Sequence, residues 1–380
     1  TVLIGQAWGA QNLEKVRSVI GSTLFMTLIG GSIIAVLGWI FAEHILQLLG
    51  TDPKIMHLSL PYVRWMLVGS PLLFVYIIYT SILRGVGDSV TPLIALSLTS
   101  LIGLAVTPVL LKGYFGFPAL GIVAPAIATI LGYAAVLIFL GFYLNYKNHP
   151  LKIDARLLQS IRHDATLSKL ILKLGIPTGI QMVTTSLAGL VIIGLVNHYG
   201  AHATAAYGAV NQVLNYIQFP ALSISIAASI FAAQAIGAGK PDLLAKVTRT
   251  ALGMNVIFTG SLITLAYLFS KYLMALFITD HSVIELGQQL LFIVLWAVLF
   301  FGASAIFASI MRASGTVNVP MMINILTIIL IEVPCAYWFS SLWGLTGIWT
   351  AYALSFVCLC VLQASYYQFV WKKTKIKVLI

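Results

Sequence analysis

Ten Asp and Glu residues occur in this chain of 380, and nine of them lie in polar connecting segments or at the ends of apolar runs. Glu332, in ILIEVPCAYW, sits inside one. A carboxylate in hydrocarbon costs about 2.5–3.5 kcal/mol on insertion scales, and less with a partner or as the neutral acid. Such a group either takes up and releases a proton or serves packing. Its surroundings discriminate. A proton carrier must face a polar cavity that water can reach. A carboxyl that faces the packed interior of its own half, with only a backbone or hydroxyl partner, is structural. Pro334 lies two residues on and removes a backbone hydrogen bond, which frees the Leu330 carbonyl.

The second polar group is made of amides. Asn211, Asn215 and Gln218 follow the i, i+4, i+7 spacing of one helix face, and Gln212 lies on its flank. Gln181 and Asn197 stand in the preceding apolar run. Together they would line a polar cavity wall. The alternative is hydrogen bonding between helices, worth about 0.6 kcal/mol per bond on average. Nothing in the sequence supplies a catalytic set. The histidines, His44, His57, His149, His163, His198, His202 and His281, are scattered, and there is no HExxH or paired Asp. Cys335, Cys358 and Cys360 lie in apolar runs without metal-ligand spacing or a disulfide framework. No enzyme, metal site or cofactor is expected.

The elements that carry these residues follow from composition. Hydrophobic residues make up 60% of the chain and charged residues 8%, against about 45–50% and 25% in soluble domains. Mean hydropathy is +1.01. So few charges cannot cover a soluble surface, and the apolar content excludes disorder. The fold class is all-α integral membrane. Ten spans of the ~20 residues a bilayer needs are expected near 18–42, 58–83, 91–112, 119–144, 170–197, 203–236, 243–270, 286–311, 317–340 and 345–371, with a partial one ending near Gly9. The connecting segments alternate in charge: 17 Lys and Arg on one side, including Arg156, Lys375 and Lys377, and only Lys54, Arg64, Lys112 and Lys271 on the other. The positive-inside rule places the first set in the cytoplasm. The net charge of +11 therefore reflects topology in a multi-pass plasma-membrane protein, with the bilayer and not nucleic acid as its partner.

The chain also repeats itself. At an offset of 228, Gln6, Ala7, Gly9 and Ala10 match Gln234, Ala235, Gly237 and Ala238; Thr51 and Asp52 match Thr279 and Asp280; Ser81, Ile82, Arg84, Gly87 and Pro92 match Ser309, Ile310, Arg312, Gly315 and Pro320. At 226, Pro108 and Gly121 match Pro334 and Gly347. The second copy starts near Leu170, so roughly 60 residues, one helix and most of a second, are expected ahead of Thr1. Two six-helix parallel repeats result, an arrangement typical of transporters with a site between the halves. The expected divisions are an N-lobe at 1–144, a cytoplasmic linker at 145–169, a C-lobe at 170–371 and a tail at 372–380. The linker pattern LLQSIRHDATLSKLILKL would include a short interfacial helix. Arg84 and Arg312 are read as caps of terminal carbonyls, Asp52 and Asp280 as turn or helix caps, and Pro71, Pro108, Pro177, Pro220 and Pro334 mostly as static kinks.

These segments resemble a known family. GQAWGAQN with AQAIGAGK, SILRGVGDSVTP with SIMRASGTVNVP, and GYFGFPALGIVAPAIAT with SLWGLTGIWTAYALS are similar to the duplicated signatures of the multidrug and toxic compound extrusion family, across essentially all 380 residues. The resemblance implies a V-shaped, monomeric twelve-helix exporter with a central cavity. It would exchange amphipathic, often cationic compounds for inward H⁺ or Na⁺, and helix one and most of helix two would precede this segment. The NorM-like branch uses acids in helices seven and ten. Here LGIPTGIQMVTTSLAG has Thr185 in roughly that place, and QQLLFIVLWAVLFFGASAIFASI has no acid. The resemblance is therefore to the DinF-like branch, whose cation chemistry centres on a helix-one Asp outside this chain. The 380 residues alone are not expected to transport. Where that branch often carries a helix-five Asp, AVTP puts Thr107, a hydroxyl able to bind Na⁺ but not to hold a titrating proton. Thr107 and Glu332 are thus the cation-coupling candidates. The competing reading is a lipid-linked-sugar flippase of the same superfamily. It would need a basic cavity, and Arg64 is the only basic residue well inside a span.

Overall fold

A computed structural model describes residues 1–380 apart from Ile153, His163, Lys375 and Lys377 and the side chains of Arg156 and Leu158. The charge reading at Arg156, Lys375 and Lys377 and the reading of His163 lie outside the described residues. Among those described, nine helices are long and apolar enough to cross a membrane, or ten if one bent pair counts as a span. The chain is an all-α, multi-pass membrane protein.

Two compact units form. The first comprises Thr1, Leu3 and Gln11–Ile171, and the second Val2, Ile4–Ala10 and Leu172–Ile380. After α1 (Val2–Gly9), the first unit contains α2 (Leu13–Leu48), α3 (Pro53–Val68), α4 (Ser70–Gly85), α5 (Val90–Lys112), α6 (Ala124–Tyr146) and the short α7 (Ala155–Ser160). The starts of α2 and α3 are capped by side chains. The Asn12 side chain accepts the Lys15 N–H at 3.0 Å, and the Asp52 carboxylate accepts the Lys54 N–H at 2.8 Å. The expected span at 58–83 is two helices bent by 45°. The bend falls at Gly69–Pro71, where proline has no N–H for the preceding turn, and α2 packs against it through Gly31.

The segment after α6 is strapped to this same unit. Tyr79 donates to the Leu151 carbonyl at 2.7 Å, Arg17 pairs with Asp154 at 3.7 Å, and His149 lies 3.7 Å from Asp88. The stretch expected to hold an interfacial helix divides into the six-residue α7 and the first turns of α8 (Ala165–Asn197), which continues unbroken into the membrane.

The second unit continues with α9 (Ala201–Gly237), α10 (Leu243–Leu268), α11 (Ser270–Ala275), α12 (His281–Val294), α13 (Val298–Ala313), α14 (Asn318–Thr327), α15 (Val333–Trp343) and α16 (Leu345–Phe369). A single 3₁₀ turn, Leu295–Ala297, joins α12 to α13 inside the expected span at 286–311. Between α14 and α15 the backbone widens into a π turn over Ile328–Glu332, and the Val333 N–H reaches the Ile328 carbonyl. Pro334, two residues past the end of that turn, cannot donate, so the helix relaxes there. Asp280 caps α12 by accepting the Ser282 N–H at 2.9 Å, as Asp52 caps α3.

Hydrogen bonding repeats with the sequence. After α4, Gly87 N–H bonds the Arg84 carbonyl and Asp88 N–H bonds that of Leu83; after α13, Gly315 bonds Arg312 and Thr316 bonds Met311. Gly87 (φ 95°) and Gly315 (φ 86°) are left-handed, which only glycine adopts without strain. The two signature segments meet within the second unit. A Cβ on Gly9 would collide with the Gln234 carbonyl, and one on Gly237 with that of Gln6. Gln6 is fully buried there; it donates to the Ala313 carbonyl at 2.8 Å and accepts the Leu379 N–H at 2.8 Å.

Candidate functional site

On α9 the sequence buries Val210, Val213, Leu214 and Ile217 in the core of the second unit. That choice turns the amides outward. Asn215 and Gln212 are exposed, and Asn211 and Gln218 are half-buried. No side-chain hydrogen bond holds any of these four amides within the described residues. An amide facing hydrocarbon without a partner would cost several kcal/mol. The face bearing Asn211, Asn215 and Gln218 carries no side-chain hydrogen bond among the described residues and so needs water or another polar group as its partner. Phe219, 54% exposed, borders it, whereas Tyr216 stacks on Phe277 toward α10 and α11. Amides beside an exposed aromatic ring can bind an amphipathic molecule, the amides by hydrogen bonds and the ring by apolar and cation–π contact.

Two further candidates lie on α8. Gln181 is half-buried, and its backbone carbonyl accepts the Thr185 hydroxyl at 3.0 Å. Asn197 is at the helix end, where its Oδ1 accepts the Thr204 hydroxyl at 2.9 Å. It ties α8 to the first turn of α9 across a three-residue connection, so its amide oxygen is already occupied.

Glu332 ends the π turn. Its Oε2 accepts the Ser355 hydroxyl at 3.0 Å, and Ser355, on α16, is 2% exposed. Close by, the Tyr207 and Tyr352 hydroxyls are 3.0 Å apart and both rings pack on the buried Trp349. Among the described residues Glu332 thus has one side-chain hydrogen-bond partner, a hydroxyl of its own unit, and it is itself half-buried. Tyr207, Tyr352 and Ser355 carried no signal in the sequence: Ser355 meets Glu332 from α16, and Tyr207 on α9 meets Tyr352 on α16.

In the first unit, Thr107 is half-buried on α5 beside Pro108, with no side-chain hydrogen bond in the described residues. Arg64 donates to the Trp39 carbonyl at 3.3 Å and its guanidinium lies 5.3 Å from the Trp39 ring centre, so its charge is engaged by α2. Of the two expected carbonyl caps, Arg312 donates to the Ala308 carbonyl at 3.3 Å, whereas Arg84 donates to the Ser81 hydroxyl at 2.8 Å and, among the described residues, to no carbonyl. Among the described residues no three His, Cys, Asp or Glu side chains converge as metal ligands.

A protein-family model described as MatE matches residues 1–109 and 177–338. The probable multidrug resistance protein YoeA of Bacillus subtilis (strain 168) is 44% identical over 382 residues, covering 100% of this chain and 82% of its own. A protein named FAD transporter from Shewanella oneidensis is 28% identical, over 91% of this chain and 76% of its own. A solved structure described as the outward-facing conformation of a multidrug resistance MATE family transporter of the MOP superfamily superposes with a TM-score of 0.89 at 18% identity, covering 98% of this chain and 83% of that one.

Proposed function

This chain belongs to the MatE family, and from that membership we propose that it is a cation-coupled antiporter, exporting amphipathic and mainly cationic small molecules in exchange for H⁺ or Na⁺ by alternating access. It is a transporter and not an enzyme. The observation that carries the substrate side is the row of amides on α9 without a side-chain hydrogen bond among the described residues, bordered by the exposed Phe219. Asn211, Asn215 and Gln218 form the binding wall, with Gln212 and Gln181 at its margins. Asn197 contributes less, because Thr204 already occupies it.

The DinF-like placement rests on the lack of acids in α8 and in the deep part of α12–α13. Of the two coupling candidates, Thr107 offers a hydroxyl ligand without a competing partner. Glu332 is given the packing role, because Ser355 is its side-chain partner. The protein works as a monomer in the plasma membrane, without a cofactor beyond the coupling ion. A lipid-linked-sugar flippase would need a basic wall, and Arg64 is engaged by Trp39.

The test is transport by the full-length protein in proteoliposomes with an imposed pH or Na⁺ gradient. Asn211→Leu, Asn215→Leu and Gln218→Leu, combined, should lower efflux of a fluorescent lipophilic cation at least tenfold while thermal stability is kept. Unchanged efflux would remove the wall from α9. Gradient-independent movement of every substrate tried, FAD included, would overturn antiport.

A further inference from the structure

A groove of about 540 Å³ runs between α9 and α10, away from the amide face. Its walls are mostly apolar, Ala227 and Phe231 on one side and Leu243 and Met254 on the other, with the Ser223 and Thr250 hydroxyls among them. Lys246 is the one charged residue lining it. From Leu243 to Met254 the groove follows α10 for about 16 Å at 1.5 Å per residue. That is about half of the ~30 Å hydrocarbon core, the depth of a single leaflet. Phe231 and Met254 are 61% and 42% exposed, so the groove opens outward rather than into the core of the unit.

The charge at its mouth is specific. Lys246 lies in the first turn of α10 and is exposed. No carboxylate lies within 4.0 Å of its ammonium among the described residues, where only the Arg17–Asp154 and His149–Asp88 pairs meet that limit. Lys240 and Arg249 flank it, and Asp242 is the one acid in the α9–α10 turn. A lysine at the end of an apolar slot one leaflet deep matches a lipid whose phosphate meets the ammonium while its chain fills the slot.

We propose that the α9–α10 groove is a binding site for one anionic phospholipid of the cytoplasmic leaflet, with an acyl chain along Ala227 and Phe231 and the phosphate at Lys246. The proposal rests on membrane placement and on the cytoplasmic position of the α9–α10 turn, not on antiport. A neutral lipid would fill the same slot without answering the charge.

Native mass spectrometry of the protein released from nanodiscs of equal phosphatidylglycerol and phosphatidylcholine tests it. The wild type should retain one phosphatidylglycerol in preference to phosphatidylcholine. Lys246→Gln should reduce that preference about fivefold, the effect of one basic charge beside an anionic headgroup. Ala227→Phe, which fills the slot, should lose the retained lipid of either headgroup. Phe231→Ala, which widens the slot, should keep the preference and serves if Ala227→Phe does not fold. Equal retention of both lipids by the wild type, or a preference that survives Lys246→Gln, overturns the proposal. So does displacement of the lipid by an exported cation with the same dependence on Ala227, which would make the groove a substrate site.

Discussion

Glu332→Gln separates the two roles a carboxyl in the membrane can have. The substitution keeps the side chain's shape and its carbonyl acceptor and removes the titratable proton. Ser355 Oγ, 3.0 Å from Glu332 Oε2, can donate to either residue. A hydrogen bond to a charged acceptor contributes about 1.5–3 kcal/mol and one to a neutral acceptor about 0.5–1.5 kcal/mol, so the weakened bond costs up to ~1.5 kcal/mol. Against this stands relief of the ~2.5–3.5 kcal/mol insertion cost of a carboxylate. The variant should be equally stable if the acid is neutral and about 1–2 kcal/mol more stable if it is ionised. Glu332→Leu leaves the Ser355 hydroxyl, 2% exposed, without its acceptor and should cost about 1–3 kcal/mol. Thermal unfolding in nanodiscs reads the first effect, and substrate efflux across imposed pH gradients reads the second. A packing carboxyl predicts efflux within twofold of wild type for Gln at every gradient. Abolished pH-driven efflux with intact substrate binding would refute the reasoning and return the proton to Glu332.

Three other outcomes follow from the geometry. Gly9→Ala and Gly237→Ala each drive a methyl group into a backbone carbonyl of the partner segment and should destabilise by about 1–3 kcal/mol; Gly30→Ala and Gly260→Ala, with nothing within 4 Å of the new Cβ, should be neutral or slightly stabilising in the same melt. Tyr79→Phe leaves the Leu151 carbonyl without its donor, at a cost of about 1–3 kcal/mol, and should speed proteolysis near residues 151–160 without changing the α9 wall. The Ser282 hydroxyl and N–H hold the Asp280 carboxyl below its ordinary value; a depressed carboxyl stabilises above its unfolded pKa and loses that contribution as pH falls through the folded one, so a melt series should show the wild-type advantage over Asp280→Asn fading below about pH 4.

Much of this protein is local and therefore legible in its sequence. Length and hydropathy determine the spans because every backbone group at membrane depth must bond within its own helix. Asp52 and Asp280 cap helices because a carboxylate needs only the N–H two residues on. The 228-residue repeat is readable because Arg84–Gly87 and Arg312–Gly315 close their turns with bonds spanning three to five residues. The i, i+4, i+7 spacing puts Asn211, Asn215 and Gln218 on one face, but periodicity does not say which face the core takes. Packing decided that, when Val210, Val213, Leu214 and Ile217 went inward. Tertiary structure likewise assigned Asn197 to Thr204, Arg64 to Trp39 and Glu332 to Ser355. The last two partners lie 25 and 23 residues away on other helices. A polar side chain in a membrane takes whichever donor or acceptor the neighbouring helix presents, and helix pairing and rotation are set by the summed packing of many side chains. The 45° bend at Gly69–Pro71 and the π turn before Pro334 have the same origin: proline removes one hydrogen bond, and the surrounding helices determine whether the chain bends, widens or continues.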